Sequence, residues 1–166
     1  MELDHTGEPV TGSVICVTKR IQLSDHTTLF KSLVALHTEV EKAAADAGLD
    51  QKLIELVKIR GSQLNGCAYC LDKHSRDARE LGEDERRIYL LGAWWETELY
   101  TEQERAALAL TDAITKLSER QDVPDDVYEQ ATKVLTEDQY RAVCWAVALI
   151  NTWNRLGVTS HKPLPR

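Results

Sequence analysis

The chain has 166 residues, a formal net charge of −7, and 43% apolar and 28% charged residues. These values indicate one globular domain with its own apolar core, and the excess of acidic residues argues against nucleic acid and anionic membranes as partners. The start, MELDHTGEPVTGS, lacks the basic and apolar regions of a signal peptide, and no apolar run is long enough to cross a bilayer. We therefore expect a cytoplasmic protein whose cysteines are kept reduced.

In chain order, we predict an N-terminal arm (1–22), an all-α domain (23–157) and an extended C-terminal tail (158–166). An apolar run at 14–17 in the arm is compatible either with an edge strand or with an extended segment, and either one would suit a contact between subunits. The remainder contains short connections and apolar residues at helical spacing, which predict a single-domain helical bundle.

Capping signals divide the domain into helices. The predicted helix starts are Ser24 or Asp25, Asp50, Cys67, Glu83 to Glu85, the Thr101/Glu104 capping box, Pro124 at a first helical position, and the Thr136/Gln139 capping box. The predicted breaks are Gly48, the Asn65-Gly66 turn, Gly82, Leu135 and Gly157, and the fourth helix is expected to run through Trp94 and Trp95.

The stretch from Glu55 to His74, ELVKIRGSQLNGCAYCLDKH, contains the residues with the clearest chemistry. It predicts a helix-turn-helix hairpin in which Cys67, Cys70 and His74 stand at i, i+3 and i+7, on one face of the second helix. Counting residues from the turn places Glu55 at the height of His74, with Cys67 nearest the mouth of the site. A carboxylate can then orient an imidazole that polarises a thiol.

A Cys-x-x-Cys pair at a helix start and near a histidine favours redox chemistry, because each of these features lowers the pKa of a thiol. A thiolate attacks peroxide oxygen or disulfide sulfur, and a second cysteine converts the product into an intramolecular disulfide.

The motif resembles that of the AhpD-like alkylhydroperoxidases in the carboxymuconolactone decarboxylase superfamily, which is Glu, eleven residues, Cys-x-x-Cys, three residues, His. Glu55, Cys67, Cys70 and His74 match this spacing, and the words ELVKIR, SQLNGCAYC and INTWNRL are also similar to that group.

The resemblance implies an all-α fold that forms a trimer or hexamer and reduces an organic hydroperoxide at the expense of a dithiol reductant, with no cofactor. It implies that Cys70 attacks the peroxide, that Cys67 resolves the product, and that Glu55 and His74 relay the proton. This chain has Tyr69 where the best-studied AhpD enzymes carry a further histidine, and a phenol does not titrate near neutral pH.

Three alternatives stay open at this point. The fold can serve as a non-enzymatic redox sensor or as a general disulfide oxidoreductase, and Cys67, Cys70, His74 and Glu55 are four plausible zinc ligands.

Other residues are expected to have structural roles. We interpret Cys16 and Cys144 as packing residues, the four tryptophans as core or interface anchors, and Asn154 and Arg155 as links between helix ends, and we assign no role to His5, His26, His37 and His161.

Overall fold

The computed structural model describes residues 18–164, and this part of the chain is α-helical without a β-strand, as the sequence predicts. The run at 14–17 lies outside the described residues. The α-helices are α1 (Thr27–Asp46), α2 (Gln51–Asn65), α3 (Ala68–Glu80), α4 (Glu85–Leu90), α5 (Glu102–Thr115), α6 (Leu117–Arg120), α7 (Asp125–Val134) and α8 (Glu137–Ser160), with 3-10 helices at Leu23–Asp25 and Leu91–Glu96.

Helix α2 is the centre of the bundle, in contact with α1, α3, α5 and α8. Its residues 53–62 are buried all round, which is the pattern of a helix enclosed by others. Charged side chains in this run must be paired, because an isolated buried charge is costly. Arg60 accordingly donates from Nε and Nη2 to both carboxylate oxygens of Asp112 on α5, at 2.6 and 2.8 Å.

Local capping signals predicted most helix starts correctly. Asp50 caps α2, and both predicted capping boxes are present, at Thr101 for α5 and at Thr136 for α8. Pro124 precedes the first residue of α7 as its N-cap, one position before the predicted place. Among the described residues, no helix is long and apolar enough to cross a membrane.

Three boundaries differ from the prediction. The N-cap of α1 is His26, whose Nδ1 accepts the amide of Leu29, because residues 23–25 form a 3-10 helix instead of the first turn of α1. The segment with Trp94 and Trp95 is 3-10 helical with a break at Ala93, so α4 ends earlier.

The third difference concerns the end of the longest helix. Helix α8 does not stop at Gly157 but continues to Ser160, so the extended tail begins later than the sequence suggests. Its left-handed C-cap is His161, with a φ of 45°. Gly157 therefore lies inside the helix, and the functional site explains why that position is a glycine.

Candidate functional site

The α2–α3 hairpin brings its two helices together through a tight turn. Gly66 ends α2 with a φ of 65°, a left-handed conformation that a residue with a Cβ rarely adopts. The amide of Cys67 then donates to the carbonyl of Ser62 at 3.0 Å, which fixes the first cysteine as the N-cap of α3. The hairpin expected from the Asn65-Gly66 signal is therefore the geometry observed.

Glu55 and His74 meet across the hairpin as the sequence predicts. Nδ1 of His74 lies 2.8 Å from Oε2 of Glu55, and both side chains are buried. Burial alone would raise the pKa of Glu55, but the hydrogen bond from His74 and the charge of Lys58 lower it below its usual range. Since an ionised carboxylate only accepts hydrogen bonds, Nδ1 of His74 carries a hydrogen, and Nε2 takes no part in this bond.

A lysine balances the charge of Glu55. Nζ of Lys58 donates to Oε1 of Glu55 at 2.8 Å and to Oε1 of Glu41 at 2.6 Å. This buried ammonium explains how a carboxylate stays ionised inside the bundle, because each charge is paired and hydrogen-bonded. Glu41 in turn receives a hydrogen bond from His37, which, with Lys58, lowers the pKa of Glu41 to about 2.

The two thiols of the motif are unequal. The pKa of Cys67 is lowered to about 6, chiefly by hydrogen bonding with the Cys70 thiol and to a smaller extent by the backbone amides of Cys70 and Tyr69 at the start of α3. The same thiol–thiol bond, together with burial, raises the pKa of Cys70 well above its usual range. With one proton shared by the pair, the negative charge therefore rests on Cys67, as expected for a cysteine at a helix N-terminus.

The more acidic thiol, Cys67, is the less accessible of the two. Cys70 lines a cavity of about 350 Å³, whereas Cys67 does not, so the expectation that Cys67 lies nearest the mouth is wrong. The reason is the start of α3, which turns the N-cap residue inward against α8. His74 lines the same cavity as Cys70. The hydrogen bonds of His74 in the described structure do not include one to Cys70, so any proton transfer between them passes through a molecule in the cavity.

Helix α8 closes the site from the side opposite the hairpin. Asn154 is 1% exposed, and its amide donates to Oγ of Ser62 at 3.0 Å while its carbonyl accepts from Asn65 at 2.9 Å. Asn154 also favours the charged form of both cysteines of the motif. Its role at the site goes beyond linking helix ends, whereas Arg155 hydrogen-bonds to Asn151 within its own helix.

Gly157 makes room for a sulfur. A Cβ at this position would lie 3.1 Å from Sγ of Cys67, closer than ordinary van der Waals contact. The glycine therefore permits close approach of helix and thiol rather than a change of chain direction. Some helices contain a glycine and end one turn after it, whereas others end at the glycine itself. The sequence does not readily distinguish the two cases.

The cavity beside Cys70 is largely apolar, with a few polar groups. Its lining comes from α1, α3, the end of α8 and the segment before α1: Gln22, Ser24, Phe30, Val34, His37, Tyr69, Cys70, Lys73, His74, Trp153, Leu156, Gly157, Ser160 and Lys162. The sequence assigned no role to His37 and suggested a core or interface role for Trp153. Both line the cavity, as does Tyr69, because the fold brings α1 and α8 beside the start of α3.

The zinc alternative drawn from the sequence does not match the geometry. In the described part of the chain, the potential metal ligands that converge are Glu55, His74 and Asp77, and the cysteine sulfurs do not join them. Lys58 and Lys73 already hold the two carboxylates, at 2.8 and 2.6 Å. The cluster is therefore a network of ion pairs.

Fold and site together define an AhpD-like protein, an all-α domain in which a helical hairpin joins a Glu/His pair to a Cys-x-x-Cys motif. The chain belongs to the carboxymuconolactone decarboxylase family, whose model matches residues 29–113.

Relatives of this chain agree with that membership. The uncharacterised protein YdfG of Bacillus subtilis (strain 168) is 41% identical over 120 residues, which are 72% of this chain and 81% of YdfG. A protein of unknown function from Agrobacterium tumefaciens, suggested to be the antioxidant defence protein AhpD, is 36% identical with a TM-score of 0.81, covering 89% of this chain and 99% of that one. The apo debrominase Bmp8 shares the fold, at 16% identity and a TM-score of 0.66 over 90% of this chain and 92% of Bmp8.

Proposed function

We propose that this protein is a thiol-dependent peroxidase that reduces organic hydroperoxides through Cys70 and Cys67. The observation that carries the proposal is the convergence on one cavity of an accessible thiol, Cys70, and an imidazole, His74, that a buried carboxylate orients at 2.8 Å. Its membership of an enzyme-containing family and its likeness to a suggested AhpD protein support an antioxidant role.

In the proposed reaction, the reduced pair holds one proton. Transfer of that proton along the thiol–thiol hydrogen bond from Cys70 to Cys67 produces a thiolate facing the cavity. The Cys70 thiolate attacks the terminal oxygen of the hydroperoxide and the O–O bond breaks, which yields a sulfenic acid and an alkoxide. The alkoxide takes the proton from Cys67 and leaves as an alcohol.

Closure of the disulfide completes the oxidation. The Cys67 thiolate attacks the sulfur of the Cys70 sulfenic acid, the S–S bond forms, and hydroxide leaves as water after it receives one proton. That proton comes from solvent: His74 is placed to take it up on Nε2 and pass it to the hydroxide, because Glu55 stabilises the imidazolium that forms in between. A dithiol then reduces the disulfide and returns both thiols to the starting state.

A second cavity gives the relay its own access to solvent. Glu55, Lys58 and Asp77 line a cavity of about 300 Å³, and none of these residues lines the cavity beside Cys70. Solvent can therefore reach Glu55 without passing through the space that the hydroperoxide occupies.

The test is consumption of cumene hydroperoxide in the presence of dithiothreitol. We expect Cys70→Ser and Cys67→Ser each to remove turnover, whereas Cys144→Ser, a matched control on α8 away from the motif, keeps it. If the single serine variants at both motif positions turned over at the wild-type rate, the proposal would be wrong. A single stoichiometric burst without turnover would favour a redox sensor on the same fold.

We also propose that the chain assembles as a homo-oligomer, either a trimer or a hexamer. Large apolar side chains are exposed on two long helices: Leu29 on α1 is 64% exposed and Trp145 on α8 is 58% exposed. Apolar side chains of this size are common anchors of subunit interfaces. Light scattering after size-exclusion chromatography measures the mass directly, and a monomer at micromolar concentration would contradict the proposal.

A further inference from the structure

The cavity beside Cys70 has a charge opposite to that of the protein. The chain carries a net charge of −7, yet the residues that line this cavity include Lys73 and Lys162 and no aspartate or glutamate in the described part of the chain. A cationic, mostly apolar cavity in an acidic protein is suited to a ligand with an apolar body and a negative group.

The two lysines are not equivalent. Nζ of Lys73 lies 2.6 Å from Oδ2 of Asp77, so its charge is already neutralised by its own helix. Lys162 forms no ion pair with any described carboxylate, and its ammonium lies 4.0 Å from the centre of the Tyr69 ring. A cation over an aromatic face keeps its charge available to an anion that enters from the cavity side.

The backbone around Lys162 is fixed by the end of α8. The amide of Lys162 donates to the carbonyl of Gly157 at 3.0 Å, and His161 adopts the left-handed conformation that ends the helix. The segment before α1 is tied to the same place, because Ser160 accepts hydrogen bonds from the amide of Leu23 at 3.2 Å and from Gln22 at 3.0 Å. Lys162 is therefore held at the cavity and is not part of a free tail.

Residues of α1 and α8 provide the apolar surface of the cavity. Phe30 and Val34 of α1 line the cavity together with Trp153 and Leu156 of α8, and the rings of Phe30 and Trp153 meet edge to face at 5.5 Å. Aromatic side chains of this kind bind the hydrocarbon part of a ligand through burial of apolar area.

We infer that the substrates of this site are amphipathic organic hydroperoxides that carry a carboxylate, and that Lys162 is the residue that binds the carboxylate. The hydrocarbon body packs on Phe30, Val34 and Trp153, and the hydroperoxide group faces Cys70. The inference rests on the proposed peroxidase function for its reaction, but the binding preference stands on the cavity itself.

The experiment compares three probes that differ in one group: cumene hydroperoxide, its ring-carboxylated derivative, and the methyl ester of that derivative. For the wild-type protein, we expect kcat/KM for the carboxylate to exceed that for the ester by about tenfold, the usual effect of one charged hydrogen bond. The preference should appear in KM and should fall at high salt.

Lys162→Gln should bring the ratio of kcat/KM for the carboxylate to kcat/KM for the ester close to one, and Lys162→Arg should restore most of that ratio. Lys133→Gln, on the surface of α7, is the control and should leave the ratio at the wild-type value. The ratio is the decisive quantity because the charge of Lys162 also favours the Cys70 thiolate, an effect shared by all three probes. An equal loss for every probe, with the ratio preserved, would mean that Lys162 acts on the sulfur alone and would overturn the inference.

A binding measurement separates this inference from the proposed function. Isopropylbenzoate, which has no peroxide group, should quench the fluorescence of Trp153 and should bind about tenfold more tightly to the wild type than to Lys162→Gln. If none of the hydroperoxides is turned over but isopropylbenzoate binds in this way, the peroxidase proposal fails and the anion site stands. If turnover occurs while isopropylbenzoate and isopropylbenzene bind equally, the anion site fails and the peroxidase stands.

Discussion

The α2–α3 hairpin and the C-terminal end of α8 contribute to the same site, but they do so through different kinds of interaction. The hairpin supplies the reacting groups, Glu55, Cys67, Cys70 and His74, at positions fixed by helical spacing and one turn. The end of α8 supplies their surroundings, through residues about 90 positions away in the chain, such as Asn154 bonded to Ser62.

A short motif therefore specifies which atoms react and which of the two thiols carries the charge, whereas the helix packed against it decides which of them is accessible. Cys67 is buried against Gly157, and Cys70 faces the cavity. The same Cys-x-x-Cys motif on a different helical neighbour would therefore keep the order of acidity but have a different order of access.

The largest effect on peroxidase activity is expected from a substitution in the α2–α3 hairpin. Glu55→Gln keeps the shape of the side chain but removes the charge that orients and stabilises His74. We expect peroxidase kcat/KM to fall about a hundredfold or more, in the range typical of a lost acid–base group.

Glu41→Gln is the matched control, because Glu41 pairs with the same Lys58 but does not contact His74. Steady-state kinetics of the two variants should differ by at least about tenfold. Equal losses of kcat/KM in the two variants would indicate that both carboxylates act only by balancing the charge of Lys58. That result would contradict the role of Glu55 in orienting His74.

The next effect concerns the α8 side. Gly157→Ala places a Cβ about where Sγ of Cys67 requires space, at 3.1 Å. We expect disulfide formation after peroxide addition to slow about tenfold, because small displacements of reacting atoms are costly.

Alanine ordinarily stabilises a helix interior by about 1 kcal/mol relative to glycine. Gly157→Ala should raise the free energy of unfolding by less than this, because the new Cβ crowds Sγ of Cys67. Thr152→Ala, on the exposed face of α8, is the control for the substitution itself. A wild-type rate of disulfide formation in Gly157→Ala would show that the close contact has no functional role.

A thiol titration separates the contributions of the two regions to acidity. In the wild type, the pKa of Cys67 is about 6, with the hydrogen bond from Cys70 as the largest cause of the lowering and Asn154 as a smaller one. Cys70→Ala, which removes the donor, should therefore raise the pKa of Cys67 further than Asn154→Ala does. Thiolate absorbance in the ultraviolet, followed with pH in a Cys144→Ser background, measures both shifts.

The opposite order in that titration would place control of the thiolate on α8 rather than within the motif.

The pKa of Cys67 is lowered in the folded protein, so the stability that its charge contributes is present above the ordinary pKa of a cysteine, about 8.5. That contribution is lost as the pH falls through about 6.

The smallest effect is on acid stability. The pKa of Glu41 is lowered to about 2, so its contribution is present above about pH 4.3, the ordinary value, and is lost as the pH falls towards 2. The side chain is 46% exposed, which screens the interaction, and we expect a contribution below about 1 kcal/mol.

Chemical denaturation of wild type and Glu41→Gln between pH 2 and pH 6 checks this, with Glu129→Gln as the surface control. The difference between wild type and Glu41→Gln should shrink as the pH falls. A difference that grew towards low pH would mean that Glu41 is stabilised as the neutral acid.

The sequence was sufficient for features that depend on neighbours a few residues apart. The capping boxes of Thr101 and Thr136, the turn at Gly66 and the meeting of Glu55 with His74 all follow from local rules and one hairpin. The family resemblance drawn from the motif is also correct.

Features that depend on distant segments could not be predicted in this way. Gly157 gives the local signal of a helix end, but the packing of Cys67 against it explains the residue, and that contact has no sequence pattern. The same holds for Lys162, which lines the cavity because α8 continues past Gly157, and for Trp153, which lines it because α8 packs beside α1 and α3.

Treatment of the fully reduced protein with one equivalent of cumene hydroperoxide, followed by peptide mapping, identifies the cysteines that take part in peroxide reduction. We expect one equivalent of alcohol and a disulfide between Cys67 and Cys70, with Cys144 still a thiol. Hydroperoxide left unconsumed, or consumed while Cys67 and Cys70 both remain thiols, would contradict the proposed reaction.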